Sequence, residues 1–301
     1  MVKEVRKKRK NKEEKKSNRG PILLFLFFLV LIFFAGCKKE AKEEVAGYGV
    51  NMKFISPAAN VSVGEKFPIY VDVKNNGDRD IAVGKIQFYL QGIGTNFKDY
   101  VSKLSNNAPL LSQGETRLIF AQAAYSDLAL QNPLTINMLL KSCYDYATIT
   151  QSAICVAKES GPICSLEGNK IVSNSKGPIV ISSLTESTFG NKLKIEFLIE
   201  NKAVGKVYMP NANCDNLIQE VPFEIMKEGI VKITINDGGI GLKCSLLNEG
   251  LTTIEGLNGY ARLGKVVCEK EVGDEATQGI IIITTEYKYI DSIIKGITIY
   301  P

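Results

Sequence analysis

From Phe67 to Lys74 two sets of residues alternate one for one: Phe67, Ile69, Val71 and Val73 in one, Pro68, Tyr70, Asp72 and Lys74 in the other. A period of two describes a strand with one buried face and excludes an amphipathic helix, whose apolar positions recur every three to four residues. The pattern returns along the chain. Ile86, Phe88 and Leu90 alternate with Gln87 and Tyr89, and Leu134, Ile136, Met138 and Leu140 lead into Cys143. Leu193, Ile195, Phe197 and Ile199 oppose Lys194, Glu196 and Glu200, and Val231, Ile233 and Ile235 form a further set. Ile280–Thr285 is nearly all β-branched, which predicts a strand buried on both faces or at the centre of a sheet. Ile297–Tyr300 reads as a last strand.

Turn formers punctuate these runs. Asn75-Asn76-Gly77-Asp78 predicts a hairpin turn, as does Asn236-Asp237-Gly238-Gly239, and Ser112-Gln113-Gly114-Glu115 predicts a turn before the strand Thr116–Tyr125. Residues 91–110 lack a clear period and read as a long loop with one helical turn near Tyr100–Leu104. Ser, Gly, Pro, Asn and Lys dominate 159–176, the expected linker. The fold class expected is all-β: two tandem immunoglobulin-like β-sandwich domains, 48–158 and 177–301, behind an N-terminal hydrophobic signal or anchor helix. A short internal repeat supports duplication. Ala82-Val83-Gly84-Lys85-Ile86 recurs as Ala203-Val204-Gly205-Lys206-Val207, each copy after a strand ending in asparagine, Asn75 and Asn201.

The chain opens on a basic head, residues 1–20, with ten Lys/Arg and three acidic groups. Positive charge before an apolar segment stays on the cytoplasmic side. Pro21–Gly36 follows without one charge. As a helix it spans roughly 24 Å, short of a hydrocarbon core of about 30 Å, and suits a secretory signal. Ala35, Gly36 and Cys37 close the segment, and this order resembles the lipobox of secreted lipoproteins, with Phe34 where leucine is usual. The resemblance implies lipidation of Cys37. An uncleaved signal anchor and a pilin-type signal cut after Gly20 remain alternatives. Residues 38–47, KKEAKEEVAG, read as a flexible tether.

The net charge of +5 belongs to the head: past Gly36 the chain carries 27 basic and 29 acidic residues. That near-neutral body excludes nucleic acid as a partner. The chain contains no histidine, which removes Ser-His-Asp and Cys-His catalysis. No CxxC pair is present and no glycine-rich phosphate loop, so zinc-ribbon, thioredoxin-type and nucleotide-binding readings lose their support, and no cofactor is expected. Apart from Cys37 there are six cysteines, an even set that reads as disulfides in an exported protein. If Tyr144–Ile154 forms a hairpin, Cys143 and Cys155 share parity and meet across it. Local closure within the second half then favours Cys164–Cys214 and Cys244–Cys268 among the possible pairings.

The first half resembles the CARDB type of immunoglobulin-like module, a cell-adhesion-related domain of prokaryotic surface proteins. The resemblance rests on Phe67–Asp80, FPIYVDVKNNGDRD, and on the SQGET turn before a strand. The second half, with CYDYATITQSAICV and YKYIDSIIKGITI, resembles uncharacterised archaeal-type secreted proteins with paired cysteines. Neither resemblance brings catalytic residues.

Other candidates are weaker. Asp72, Asp78 and Asp80 crowd one end of the first half, but DVKNNGDRD is not an EF-hand loop, and a solvated turn is the simpler reading. Asp237-Gly238-Gly239 is a turn first. Asn60-Val61-Ser62 matches the N-glycosylation acceptor. Tyr144, Tyr146, Tyr287 and Tyr289 stand in i, i+2 pairs, either a binding strip or the rim of a sheet. The expectation is a protein held at the extracytoplasmic face of the cell membrane by its N-terminal segment. There it acts without catalysis as a surface binding, adhesion or envelope-organising module toward an unknown protein or glycan. The alternatives are a lipid-anchored ligand-binding protein and an accessory subunit of a secretion, pilus or transport machine.

Overall fold

The computed structural model describes residues 48–301 except Thr95, Asp127, Leu128, Pro162 and Glu167. The basic head, the apolar segment with Cys37, and the tether lie outside the described residues. The chain divides into Met1–Glu44 and a compact unit, Val45–Pro301. No helix among the described residues is long and apolar enough to cross a membrane.

In chain order the strands are β1 (Val50–Ser56), β2 (Asn60–Ser62), β3 (Lys66–Asn75), β4 (Ile86–Gln91), β5 (Phe97–Lys98), β6 (Lys103–Ser105), β7 (Glu115–Tyr125) and β8 (Leu134–Val156). Then come β9 (Val172–Asn174), β10 (Ile179–Phe189), β11 (Lys192–Asn201), β12 (Lys206–Tyr208), β13 (Ile230–Asn236) and β14 (Lys243–Leu247). The last are β15 (Thr253–Gly256), β16 (Asn258–Arg262), β17 (Gly264–Glu271) and β18 (Thr277–Tyr300). The alternation in β3 and β11 is the burial pattern: Phe67, Ile69, Val71, Val73, Leu193, Ile195, Phe197 and Ile199 all enter the core.

Two strands organise everything else. β8 and β18 pair antiparallel in unbroken register from Leu134↔Ile299 to Val156↔Thr277. At about 3.3 Å per residue this ribbon is roughly 75 Å long, far more than one sandwich needs. Its two ends therefore serve two lobes. In the first, β1-β3-β7-β5 forms a separate sheet, while β4 and β6 extend the ribbon sheet beyond β8. In the second, β10-β11-β17-β14 continues through β16 and β13 onto β18. Each lobe thus has a triplet of the same form, β1-β3-β7 and β10-β11-β17.

Several expectations change here. The two halves are not tandem domains joined by a linker, because each borrows a ribbon strand from the other. Within 159–176, Cys164 is crosslinked and β9 pairs β8, so this segment is bound into the body. Asn75–Asp78 is not a hairpin turn: β3 and β4 lie in different sheets, and the chain crosses between them. Residues 91–110 hold the short β5 and β6 in place of a helical turn. Ile280–Thr285 is central in its sheet but buried on one face alone. Ile281 and Ile283 are fully enclosed, whereas Ile280 is 61% exposed.

Residues 48–158 alone lack β18, and 177–301 alone lack β8. Neither fragment is expected to give a cooperative unfolding transition, whereas the body of the intact chain should melt in one. Calorimetry on all three checks this.

Candidate functional site

The four tyrosines meet where the lobes join. Tyr144 pairs Tyr289 and Tyr146 pairs Tyr287 across the ribbon. Their rings pack edge-on or tilted, with centroids 5.8–6.4 Å apart, and all four are buried. They are neither an exposed strip nor a rim. Burial pushes all four phenols above their usual range.

Each hydroxyl ties down a chain entering a lobe, and the ties come in matched pairs. Tyr144 Oη accepts from the Val50 amide at the start of β1, 3.1 Å; Tyr287 Oη accepts from the Ile179 amide at the start of β10, 3.3 Å. Tyr146 Oη accepts from the Arg79 amide, 3.2 Å, and Tyr289 takes the Gly205 amide. Arg79 and Gly205 each lie four residues past an asparagine, and the asparagines behave alike. Asn75 Nδ2 donates to Arg79 O and Asn201 Nδ2 to Gly205 O, both at 2.7 Å. Their Oδ1 atoms accept from the amides of Gly77 and Ala203, both at 3.1 Å. A pseudo-two-fold axis therefore carries Tyr144 onto Tyr287, Tyr146 onto Tyr289 and Asn75 onto Asn201. The Ala-Val-Gly-Lys match runs five residues out of this alignment. The asparagines, not that tetrapeptide, mark equivalent places. Close approach to the rings requires glycine at two positions that the axis does not relate, Gly77 and Gly205. A Cβ on Gly77 would overlap the Tyr146 hydroxyl, and one on Gly205 would lie 2.6 Å from Tyr289 Cε1.

The symmetry breaks between β12 and β13. There residues 209–229 insert two short helices, Cys214–Ile218 and Pro222–Ile225, where the described residues of the first lobe have none. Asn213 caps the first, its Oδ1 accepting from the Asn216 amide at 3.1 Å. Buried Glu224 joins the helices, accepting from the Asn213 amide at 3.0 Å and pairing with Lys227 at 3.1 Å. The insertion clasps the first lobe. Cys214 bonds Cys143 on β8. Asp215 meets Lys103 of β6 at 2.5 Å and Tyr89 of β4 at 3.0 Å. The hydrogen bond from Lys103 holds the Asp215 carboxyl below its usual range.

The outer side of the insertion presents Phe223 and Met226, 68% and 72% exposed. A groove between the insertion and β18 is lined by Leu217, Ile218, Ile225 and Ile290, with Lys141 and Asp291 at its polar wall. Burial raises the Asp291 carboxyl above its usual range, partly offset by the Ser292 amide that it accepts at 2.8 Å. No cluster suited to a metal ion exists among the described residues.

The disulfides are Cys143–Cys214, Cys155–Cys164 and Cys244–Cys268. The expected Cys143–Cys155 and Cys164–Cys214 are not formed. Tyr144–Ile154 contains no glycine, proline or asparagine and runs straight, which sets Cys143 and Cys155 roughly 40 Å apart on one side of β8. Cys155 instead closes a short loop to Cys164, beside buried Glu186. That carboxylate accepts from the Cys155 amide at 2.8 Å and meets Lys170 at 2.7 Å. Burial still raises it above its usual range. Cys244 and Cys268 are direct cross-strand partners.

The three aspartates do not converge. Asp72 forms a bidentate pair with Arg117 at 2.6 and 2.9 Å, Asp78 accepts from the Lys176 amide at 2.7 Å, and Asp80 from the Ser112 amide at 2.6 Å. Asp237 accepts from the amides of Gly239, Gly241 and Leu242 and holds its own turn. Asn60 is exposed on β2. Sequence reasoning missed the insertion, although Pro222 and the run Asn213–Glu220 carry helix-start chemistry that period-two reading passes over.

No family model matches the chain, and no curated protein does. Among solved structures, the chain is similar to the secreted serine protease VesC from Vibrio cholerae, with 10% identity and a TM-score of 0.22. That match covers 78% of this chain and 50% of that one, so the chain spans half its length. It is also similar to a structure described as the triple jelly roll fold and turret assembly in an archaeal virus. There the identity is 7% and the TM-score 0.14, over 81% and 90% of the two chains. Likenesses this shallow identify neither fold nor activity.

Two outcomes are expected. Non-reducing peptide mapping should recover Cys143 linked to Cys214 and Cys155 to Cys164. Gly77→Ala should cost about 1–3 kcal/mol through overpacking, visible as a lowered Tm, whereas Gly273→Ala, whose Cβ meets nothing within 4 Å, should leave Tm in place.

Proposed function

We propose that this chain is a membrane-anchored extracytoplasmic protein. Its body consists of two immunoglobulin-like sandwich lobes of the CARDB style, and it serves as a non-enzymatic docking module at the cell surface. The observation that carries the docking reading is the insertion at 209–229. It is an asymmetric addition to a pseudo-symmetric body, clamped by a disulfide and ion pairs, yet it leaves Phe223 and Met226 uncovered. Large side chains held out on a rigid mount make effective anchors for a partner.

The three disulfides support export, because such bonds persist in oxidising compartments. The apolar run ending at Cys37 supports anchoring in the same direction. The groove beside the insertion has an apolar floor of Leu217, Ile218, Ile225 and Ile290, which favours binding over turnover.

Intact mass of the protein from its native membrane tests the anchor. Loss of residues 1–36, a lipid adduct on Cys37 and six hydrogens gained on reduction are expected; an unprocessed mass would instead mean an uncleaved signal anchor. The docking reading is tested on isolated envelope fractions. The protein should bind saturably, and Phe223→Ser with Met226→Ser should weaken binding by about tenfold or more with Tm unchanged. Absence of saturable binding to any envelope fraction would sink it.

A further inference from the structure

In the second lobe the ribbon sheet has a side that faces away from the core. Directly opposed residues on neighbouring strands share a face, and three rows run across this one. Ala153 stands opposite Ile280, and Ile171, two residues before Ser173, extends that row toward the edge. The next row is Ser173, Gln151, Ile282 and Asn236. The third is Ile149, Thr284, Thr234 and Asn258. Residues that alternate with these, among them Ser152, Ile281, Ile283 and Ile235, are buried, whereas Ile171 and Ile149 are 91% and 46% exposed. None of the three rows carries a charge, in a chain where 23% of residues do. The fourth row is charged: Glu286 stands opposite Lys232 and pairs with it at 2.9 Å. A flat, uncharged and partly apolar centre beside a charged rim is the anatomy of an interface.

The matching side of the first lobe is covered. The axis that carries Tyr144 onto Tyr287 carries Thr284 and Ile149 onto Lys141 and Ser292, which line the groove beside the insertion. There the insertion lies over the ribbon, with Ile218 packed on Tyr89 and Cys143. Over the second lobe no helix among the described residues does the same.

We infer that this face is a homophilic interface: it takes a second copy of the chain, packed sheet on sheet about a two-fold axis. The occupant follows from the chemistry of the rows. Across a two-fold axis a patch meets itself. Charged side chains would then meet their like and repel. Serine, threonine, asparagine and glutamine each donate and accept, so they can pair with their own kind, and isoleucine packs on isoleucine. The aromatic and arginine anchors that dominate binding to unlike proteins are absent from all three rows. The size agrees. Five strands about 4.8 Å apart and three rows about 6.7 Å apart give roughly 480 Å² on each copy, about 960 Å² for the pair. That is close to the bound of about 1,000 Å² for a specific interface. An interface at that bound forms a transient pair, strengthened where copies share one membrane surface and their local concentration is high. The inference stands apart from the docking reading, which concerns the insertion.

The test is photocrosslinking of the full chain in phosphatidylcholine vesicles, with benzoylphenylalanine in place of Gln151. Heavy-nitrogen-labelled and unlabelled copies are mixed, so that mass spectrometry separates crosslinks between copies from those within one. Crosslinks between copies should map to residues 147–153, 171–175, 234–236 or 280–284 of the second copy. Adding Ile280→Lys should lower their yield about tenfold or more, because the two-fold axis places the new charge on both sides of one desolvated contact. Its Tm should stay in place, since the Ile280 side chain points to solvent. Phe189→Ser, equally exposed but at the tip of the β10–β11 hairpin, should leave the yield unchanged. Crosslinks confined to single copies would mean that the chain covers this face itself, and would overturn the inference. So would crosslinks between copies that map elsewhere, or a yield that Ile280→Lys leaves intact. None of these results bears on the Phe223 surface, whose test reads binding to envelope fractions.

Discussion

The ladder between β8 and β18 is the constraint from which the rest of the molecule follows. A strand of more than 20 residues cannot bury one face against a single sandwich, because a lobe is only about 20 Å along its strands. The ribbon must therefore outrun one core and enter a second. Once it does, each lobe is completed by a strand the other also uses, and the lobes cannot separate without breaking hydrogen bonds at the centre of both. The unbroken register, with no bulge along the ribbon, keeps the even residues of β8 and the odd residues of β18 on the core side.

Where the ribbon passes from one core to the other, four phenols take over from aliphatic side chains. Aromatic rings fill a wide junction, and their hydroxyls satisfy amides of incoming chains that no strand could reach. The same hydroxyl–amide–asparagine geometry occurs twice, which gives the junction an internal pseudo-symmetry. It also makes departures from symmetry informative. The departure here is added material, the clamped insertion with its exposed Phe223 and Met226. It lies over the ribbon in the first lobe, and no described helix lies over the matching side of the second.

Disulfide placement follows the same logic. Cys143 and Cys155 stand on the odd side of one straight strand, opposite Tyr144 and Tyr146, so each is joined to a separate peripheral segment. One holds the insertion against the first lobe and the other closes the loop beside Glu186. The third bond staples neighbouring strands inside the second lobe.

Much of the local structure is legible from residue order alone. Alternation in Phe67–Val73 and Leu193–Ile199 names the buried faces, because side chains on a strand point to opposite sides by covalent geometry. The all-β class follows, as does the weight on asparagine at Asn75 and Asn201. The sequence alone also carries the apolar run, Cys37 and the basic head. What it leaves undecided is every non-local partner. Nothing within Tyr144–Ile154 says that it will pair with Gly279–Tyr289 far along the chain, only that it lacks a turn. Hence the hairpin, two disulfides and the domain boundary expected from residue order are displaced together. Pairing across more than a hundred residues is chosen by the fit of whole faces and by the burial of polar groups such as the tyrosine hydroxyls, and those quantities exist only once the tertiary structure has formed.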